Sequence, residues 1–121
     1  MKIEDLEIYN LSMDLSDKIW NLVIEWEYFA KDTMGKQWIR AADSVDANIS
    51  EGFGRYSSRD SKHFYIIARA SLQESKTWLK KAIRRKLISE QLFSDLIKEI
   101  EVIEIKLSRF IKKHSQLSEN K

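Results

Sequence analysis

The residues best equipped for chemistry in this chain lie in "IRAADSVDANISEGFGR", residues 39 to 55, where Arg40, Ser44, Asn48 and Glu51 recur at helical spacing before Gly-Phe-Gly. A carboxylate in line with a guanidinium, a hydroxyl and an amide could serve as a general base. That use requires a raised pKa, a pocket and a second functional group in reach. At about 100° per residue the row falls beside the apolar face of its helix, on the shoulder and not the outer side. Side chains there are half buried, and an unsatisfied buried polar group costs about 1–3 kcal/mol. Arg40 offers a fork of donors, Ser44 and Asn48 can bridge, and Glu51 can close the row with Arg40, Arg55 or Arg69. A structural network or subunit contact asks least of the row; a ligand or nucleic-acid contact asks more, and catalysis most. Gly52 and Gly54 read as the helix terminus, where positive φ costs glycine least. "GFG" lacks the Lys-Ser/Thr and the preceding strand of a phosphate-binding loop.

A second stretch, "KTWLKKAIRRK", carries Lys76, Lys80, Lys81, Arg84, Arg85 and Lys86 with no acid between them. Lys76, Lys80 and Arg84 recur every four residues and line one strip of a helix. Such a strip can neutralise phosphates, with salt-sensitive binding that reads sequence poorly. It can equally be a solvated face favoured by the helix dipole, or a docking surface for an acidic neighbour. His63 and His114 form no metal-ligand spacing, so neither a metal nor a cofactor is expected. Trp20, Trp26, Trp38 and Trp78 sit at core spacing, which favours packing over base stacking.

The elements that must hold these residues are helices. The chain has 121 residues, no proline and three glycines, so the strongest helix breakers are almost absent. That length fits one domain. The apolar periodicity predicts helices over 5–29, 33–53, 58–86 and 89–114, a domain over 1–115 and a frayed tail over 116–121. Short joints favour an all-α, antiparallel up-down-up-down four-helix bundle. Ser57 or Ser58, with Asp60 behind, is expected to open the third helix and Ser89 the fourth.

The first helix is apolar on two nearly opposite flanks. Leu6, Met13, Trp20 and Ile24 form one; Ile8, Leu11, Leu15, Ile19, Leu22, Trp26 and Phe29 form the other. One core cannot cover both, so self-association is expected, with Ile8, Leu11, Leu15, Ile19, Leu22 and Trp26 as the candidate interface.

Charge is divided along the chain. Residues 1–30 hold 2 basic and 7 acidic groups, 31–86 hold 13 and 6, and 87–121 hold 6 and 6, giving −5, +7 and 0 within a total of +2. The acidic first helix could therefore face the basic third helix of a neighbour. With no cysteine there is no disulfide framework, thiolate-bound zinc or cysteine nucleophile. No signal-peptide pattern and no run of about 20 apolar residues is evident, so a cytoplasmic protein without membrane partners is expected.

"DLEIYNLSMDLSDKIW", "IRAADSVDANISEGFGR" and "FYIIARASLQESKTWL" together resemble the four-helix-bundle proteins encoded in intervening sequences of 23S ribosomal RNA genes. That family includes stand-alone bacterial relatives and is similar to the accessory variability protein of diversity-generating retroelements. The likeness covers residues 4–112 and centres on Arg40, Ser44, Asn48, Ile49, Glu51 and Gly52, followed by Ala68, Ser71 and Glu74. It implies a ring-shaped homopentamer associated with RNA or ribonucleoprotein, without enzymatic activity, and adds Ser71 and Glu74 to a polar network in which Arg55 is the candidate partner of Glu51. Two positions depart from the family pattern: Asp46 stands where proline is frequent, and Ala70 where glycine is. The functional expectation is a non-catalytic oligomeric scaffold with a basic strip for nucleic acid; the alternative is a protein adaptor or a purely structural oligomer. Neither reading calls for a small-molecule substrate.

Overall fold

The computed structural model describes the backbone of residues 1–119 and the side chains of residues 1–116. Four long helices carry the fold: α1 (Glu7–Val23), α2 (Lys36–Phe53), α3 (Ser58–Arg84) and α4 (Glu90–Glu119). No strand occurs among the described residues. Each helix packs on its sequence neighbours, and α1 closes against α4. Cross-links between helices show that all four edges are antiparallel. Ser16 meets Asp46 across α1 and α2, Trp38 meets Ser75 across α2 and α3, Lys76 meets Glu104 across α3 and α4, and Lys18 meets Glu99 across α1 and α4. This is the up-down-up-down bundle the periodicity predicts.

The core is built from the apolar stripe of each helix. Leu15, Ile19 and Val23 of α1 meet Trp38, Val45 and Ile49 of α2, Tyr65, Leu72 and Leu79 of α3, and Ile100, Ile103 and Leu107 of α4, all fully buried. Trp38 brings an indole N–H into this interior and donates it to Ser75 Oγ at 3.1 Å, which removes the cost of burying it unpaired.

Both predicted caps are present. Ser57 Oγ accepts the Asp60 N–H at 3.2 Å at the start of α3, and Ser89 Oγ accepts the Leu92 N–H at 3.1 Å at the start of α4. Helix α3 closes with Lys86 in the left-handed region at φ 59° while the Leu87 N–H returns to the Ala82 carbonyl at 2.9 Å.

Gly54 is the C-cap of α2, as expected, but in other respects the glycines depart from the expectation. None has positive φ. Gly52 lies inside α2, where a Cβ would stand 2.6 Å from Tyr65 Cε1 and 2.9 Å from the Ser61 carbonyl oxygen. It is a close-approach glycine that lets α2 and α3 touch near their shared turn. Gly35 plays the same part at the other end, where a Cβ would meet Val23 Cγ1 at 2.6 Å.

The joint between the first two helices also lies elsewhere than expected. α1 ends at Val23, the chain turns over 24–27, and a helical turn Tyr28–Ala30 and a π-helical stretch Lys31–Gly35 lead into α2. Trp26 folds back onto Trp38, with ring centroids 5.9 Å apart, so the chain reverses before Phe29 can extend α1. At the far end α4 runs through residues 116–119, the start of the stretch expected to fray; residues 120–121 lie outside the described ones.

The candidate interface on α1 must be corrected. Ile8, Leu15 and Ile19 are buried within the protomer, and Leu11, Leu22 and Trp26 pack against that core. The richer flank turned inward because it faces both α2 and α4. The opposite flank, Met13, Trp20 and Ile24, is the exposed one, while Leu6 is tucked under the short turn Ile3–Asp5.

Candidate functional site

The polar row separates into three pieces. Ser44 Oγ and Ser71 Oγ share a 2.9 Å hydrogen bond across α2 and α3, and Asn48 Nδ2 donates to the Ser44 carbonyl at 2.7 Å and to Ser44 Oγ at 2.9 Å. This central part is a half-buried, satisfied seam between the two helices. Glu51 turns away from it and accepts from Arg55 Nη2 at 2.6 Å at the exposed end of α2. Arg55 in turn stacks over the Phe64 ring, 4.5 Å from its centroid. Glu74 accepts the Trp78 indole N–H at 3.1 Å, one turn along α3.

Arg40 belongs to none of these. It lines a shallow groove of about 370 Å³ with Trp20, Ile24, Tyr28, Lys36 and Ile39 on the α1–α2 face. Arg69 likewise does not reach Glu51 and lines a groove between α3 and α4. The grooves described along the bundle are lined by residues other than Glu51. Among the described residues no group of three or more His, Asp and Glu side chains is placed to hold a metal ion. The arrangement suits joining two helices, and Glu51 is engaged by Arg55.

The basic stretch is more accessible but not uniform. Lys76 is withdrawn from it by Glu104 at 3.0 Å, and this pair is largely covered. Lys81 leans over the Trp78 ring at 5.9 Å, and Arg85 Nη1 donates to Met34 Sδ at 3.4 Å. Lys80, Arg84 and Lys86 are exposed. None of these three takes part in an ion pair among the described residues. These cations gather at the end of α3, where the helix dipole is negative and favours positive charge. The expected strip is thus present from Lys80 to Lys86, with Lys76 removed from it.

The structure also contains a group that the sequence reading passed over. Asp46 extends from α2 to α1 and accepts the Ser16 hydroxyl at 3.0 Å. Burial, together with Asp43 and Asp17 nearby, pushes its carboxyl up to about 6 against the lowering effect of the Ser16 hydrogen bond. Burial and Asp17 also raise Asp43. The available signal was Asp43 and Asp46 three residues apart on the flank of α2 that meets α1. Exposed aromatic side chains were the other omission. Tyr28 and Phe29 are 73% and 74% exposed, and Trp20, expected in the core, is 50% exposed.

Comparison with solved structures finds the same fold in a protein of unknown function from the S23 ribosomal protein family of Bacteroides thetaiotaomicron VPI-5482. The two superpose with a TM-score of 0.78 at 25% sequence identity, over 87% of this chain and 98% of that one. No curated protein matches. No described helix is long and apolar enough to cross a membrane. Residues 4–109 match the 23S rRNA-intervening sequence protein family, a span that includes the serine–asparagine seam and the cationic end of α3, and the chain belongs to that family.

Proposed function

We propose that the protein is a non-catalytic, self-assembling scaffold, pentameric as the family resemblance implies, that holds RNA through the cationic end of α3. The observation that carries this reading is the contrast between two sets of polar residues. The seam on α2 is consumed by contacts within the bundle, whereas Lys80, Arg84 and Lys86 remain exposed and unpaired among the described residues. Several copies in one assembly would multiply this strip, so individually weak phosphate contacts add through avidity. The reading places the protein in the cytoplasm, where RNA is available and its lack of cysteine carries no penalty.

The test is retention of a mixed RNA and single-stranded DNA pool by wild type and by the triple variant Lys80→Glu, Arg84→Glu, Arg85→Glu. Wild type is expected to bind with an affinity that falls steeply as salt rises, and the triple variant to lose at least about tenfold. Equal retention by both proteins overturns the nucleic-acid reading. The exposed groove around Trp20, Ile24 and Tyr28 favours a second reading, a protein adaptor. That reading predicts no salt-dependent retention at all.

A further inference from the structure

Where α3 ends and α2 begins, a second set of polar side chains faces the cationic stretch across a shallow groove of about 370 Å³. Trp78, Lys81 and Arg85 of α3 form one wall. Asp32 and Thr33 of the π-helical stretch and Gln37 of α2 form the other, and Met34, part of the core, also lines the groove. The side chains of the α3 wall are only loosely engaged. Trp78 packs on the core and donates its indole N–H to Glu74 at 3.1 Å, while Lys81 Nζ stands 5.9 Å from the ring centroid, at the outer limit of a cation–π contact. Arg85 donates to Met34 Sδ at 3.4 Å, and a thioether is a weak acceptor for a guanidinium. Neither Lys81 nor Arg85 takes part in an ion pair among the described residues.

This groove is continuous with the exposed strip. At about 100° per residue, Trp78, Arg85, Lys81, Arg84 and Lys80 follow one another around α3 over about 160°, with the indole at one edge. The helix dipole favours cations at this end of α3, but it accounts for neither the indole nor the wall opposite. That wall has a different character. Asp32 holds Lys36 at 3.2 Å, so its charge is largely balanced, and with Gln37 and Thr33 it offers both donors and acceptors. A ligand that is anionic all round would meet Asp32 on one side. A nucleotide matches both walls, because its phosphate is anionic at one end and its base, at the other, is neutral with a hydrogen-bonding edge and two flat faces.

Resting on the RNA reading above, we infer that the groove receives one unpaired nucleotide. Its phosphate lies against Lys81 and Arg85, its base stacks on Trp78, and Gln37, Thr33 and Asp32 meet the base edge. Stacking displaces the Lys81 ammonium from the ring and frees it for the phosphate. In a single strand the backbone continues over Arg84 and Lys80. A duplex keeps its bases paired and stacked, so it can use the cations but not the groove. The ligand chemistry is that of a nucleoside monophosphate unit, whether part of a strand or free.

The test is fluorescence anisotropy of a short labelled oligoadenylate RNA, as a single strand and annealed to oligouridylate, over a range of salt. Wild type is expected to hold the single strand at least about tenfold tighter than the duplex. Trp78→Leu is expected to remove most of that difference and to leave duplex binding and its salt dependence unchanged, whereas Lys80→Glu with Arg84→Glu weakens both forms. Circular dichroism establishes that each variant is folded. Gln37→Ala, at an exposed position, repeats the test without touching the core and is expected to weaken the single strand several-fold while sparing the duplex. Equal affinity for the two forms, or variants at Trp78 and Gln37 that discriminate as wild type does, overturns the groove and leaves the RNA reading standing. Adenosine monophosphate, followed through quenching of tryptophan emission, separates the two sources of the ligand. Quenching that Trp78→Phe abolishes, in a protein that holds no strand, retires the RNA reading and assigns the groove to a free nucleotide. A protein that holds neither strand nor nucleotide retires both.

Discussion

Asp46 shows how far a single side chain can escape notice in a sequence. Its position on α2 is unambiguous from periodicity, yet its environment depends on Ser16 reaching it from a helix 30 residues earlier. The seam of Ser44 and Asn48 was legible because both ends of the contact lie one turn apart. The carboxyl of Asp46, ordinarily near 3.8, stands at about 6 in the folded protein. The folded state therefore binds the proton more tightly than the unfolded one. The stability this contributes is complete below about pH 3.8, declines as pH rises through about 6 and is absent above. At pH 8 the charged, half-buried group is a net liability. Asp46→Asn keeps an acceptor for Ser16 and removes the charge, so it is expected to stabilise the protein at pH 8 by about 1 kcal/mol, a figure discounted for the water that reaches the group. The gain should vanish near pH 4, and urea denaturation at the two pH values checks both.

At the scale of elements, caps were readable and the reversal between α1 and α2 was not. Ser57 and Ser89 announce their helices by residue type, because a hydroxyl in front of an apolar run satisfies otherwise orphaned N–H groups. The turn over 24–27 contains neither glycine nor proline; it arises from Trp26 stacking on Trp38, a contact between elements that no local pattern records. Gly52 was conspicuous, but its role lay in the crossing of two helices and not in its own backbone angles. Gly52→Ala offers the measure of that crossing. The added methyl meets Tyr65, which is itself held edge-on against Phe110 and His114 at 4.9 and 5.0 Å and cannot yield freely. A loss of about 1–3 kcal/mol in thermal or urea unfolding is expected, in spite of alanine's better helix propensity. Gly54→Ala, where a new Cβ has only ordinary contacts, is the control and should change little.

For the molecule as a whole, the helix count, antiparallel order and core stripes followed from periodicity, because a four-helix bundle repeats one pattern on every element. The choice of which flank of α1 faces outward did not follow. Both flanks are apolar, and only the position of α1 between α2 and α4 decides between them. The consequence is that Ile8, Leu15 and Ile19 belong to stability, whereas Met13, Trp20 and Ile24 remain available to a partner. The uneven distribution of charge, −5 in the first 30 residues and +7 in the next 56, acquires a spatial meaning only in part: Lys80, Arg84 and Lys86 gather exposed at the end of α3, whereas Lys31, Lys36 and Arg40 line a groove beside α1.

The four tryptophans sit at graded depths: Trp38 has no exposed surface, Trp26 and Trp78 are partly covered, and Trp20 is half open to water. The protein thereby carries its own fluorescent probe at the α1–α2 face. In dilute solution acrylamide should quench a red-shifted fraction of the emission that Trp20→Phe abolishes, leaving the buried indole to emit at shorter wavelength. Whatever comes to rest on that face will dim the quencher's access and shift the spectrum blue, so occupancy can be followed by light without attaching a dye.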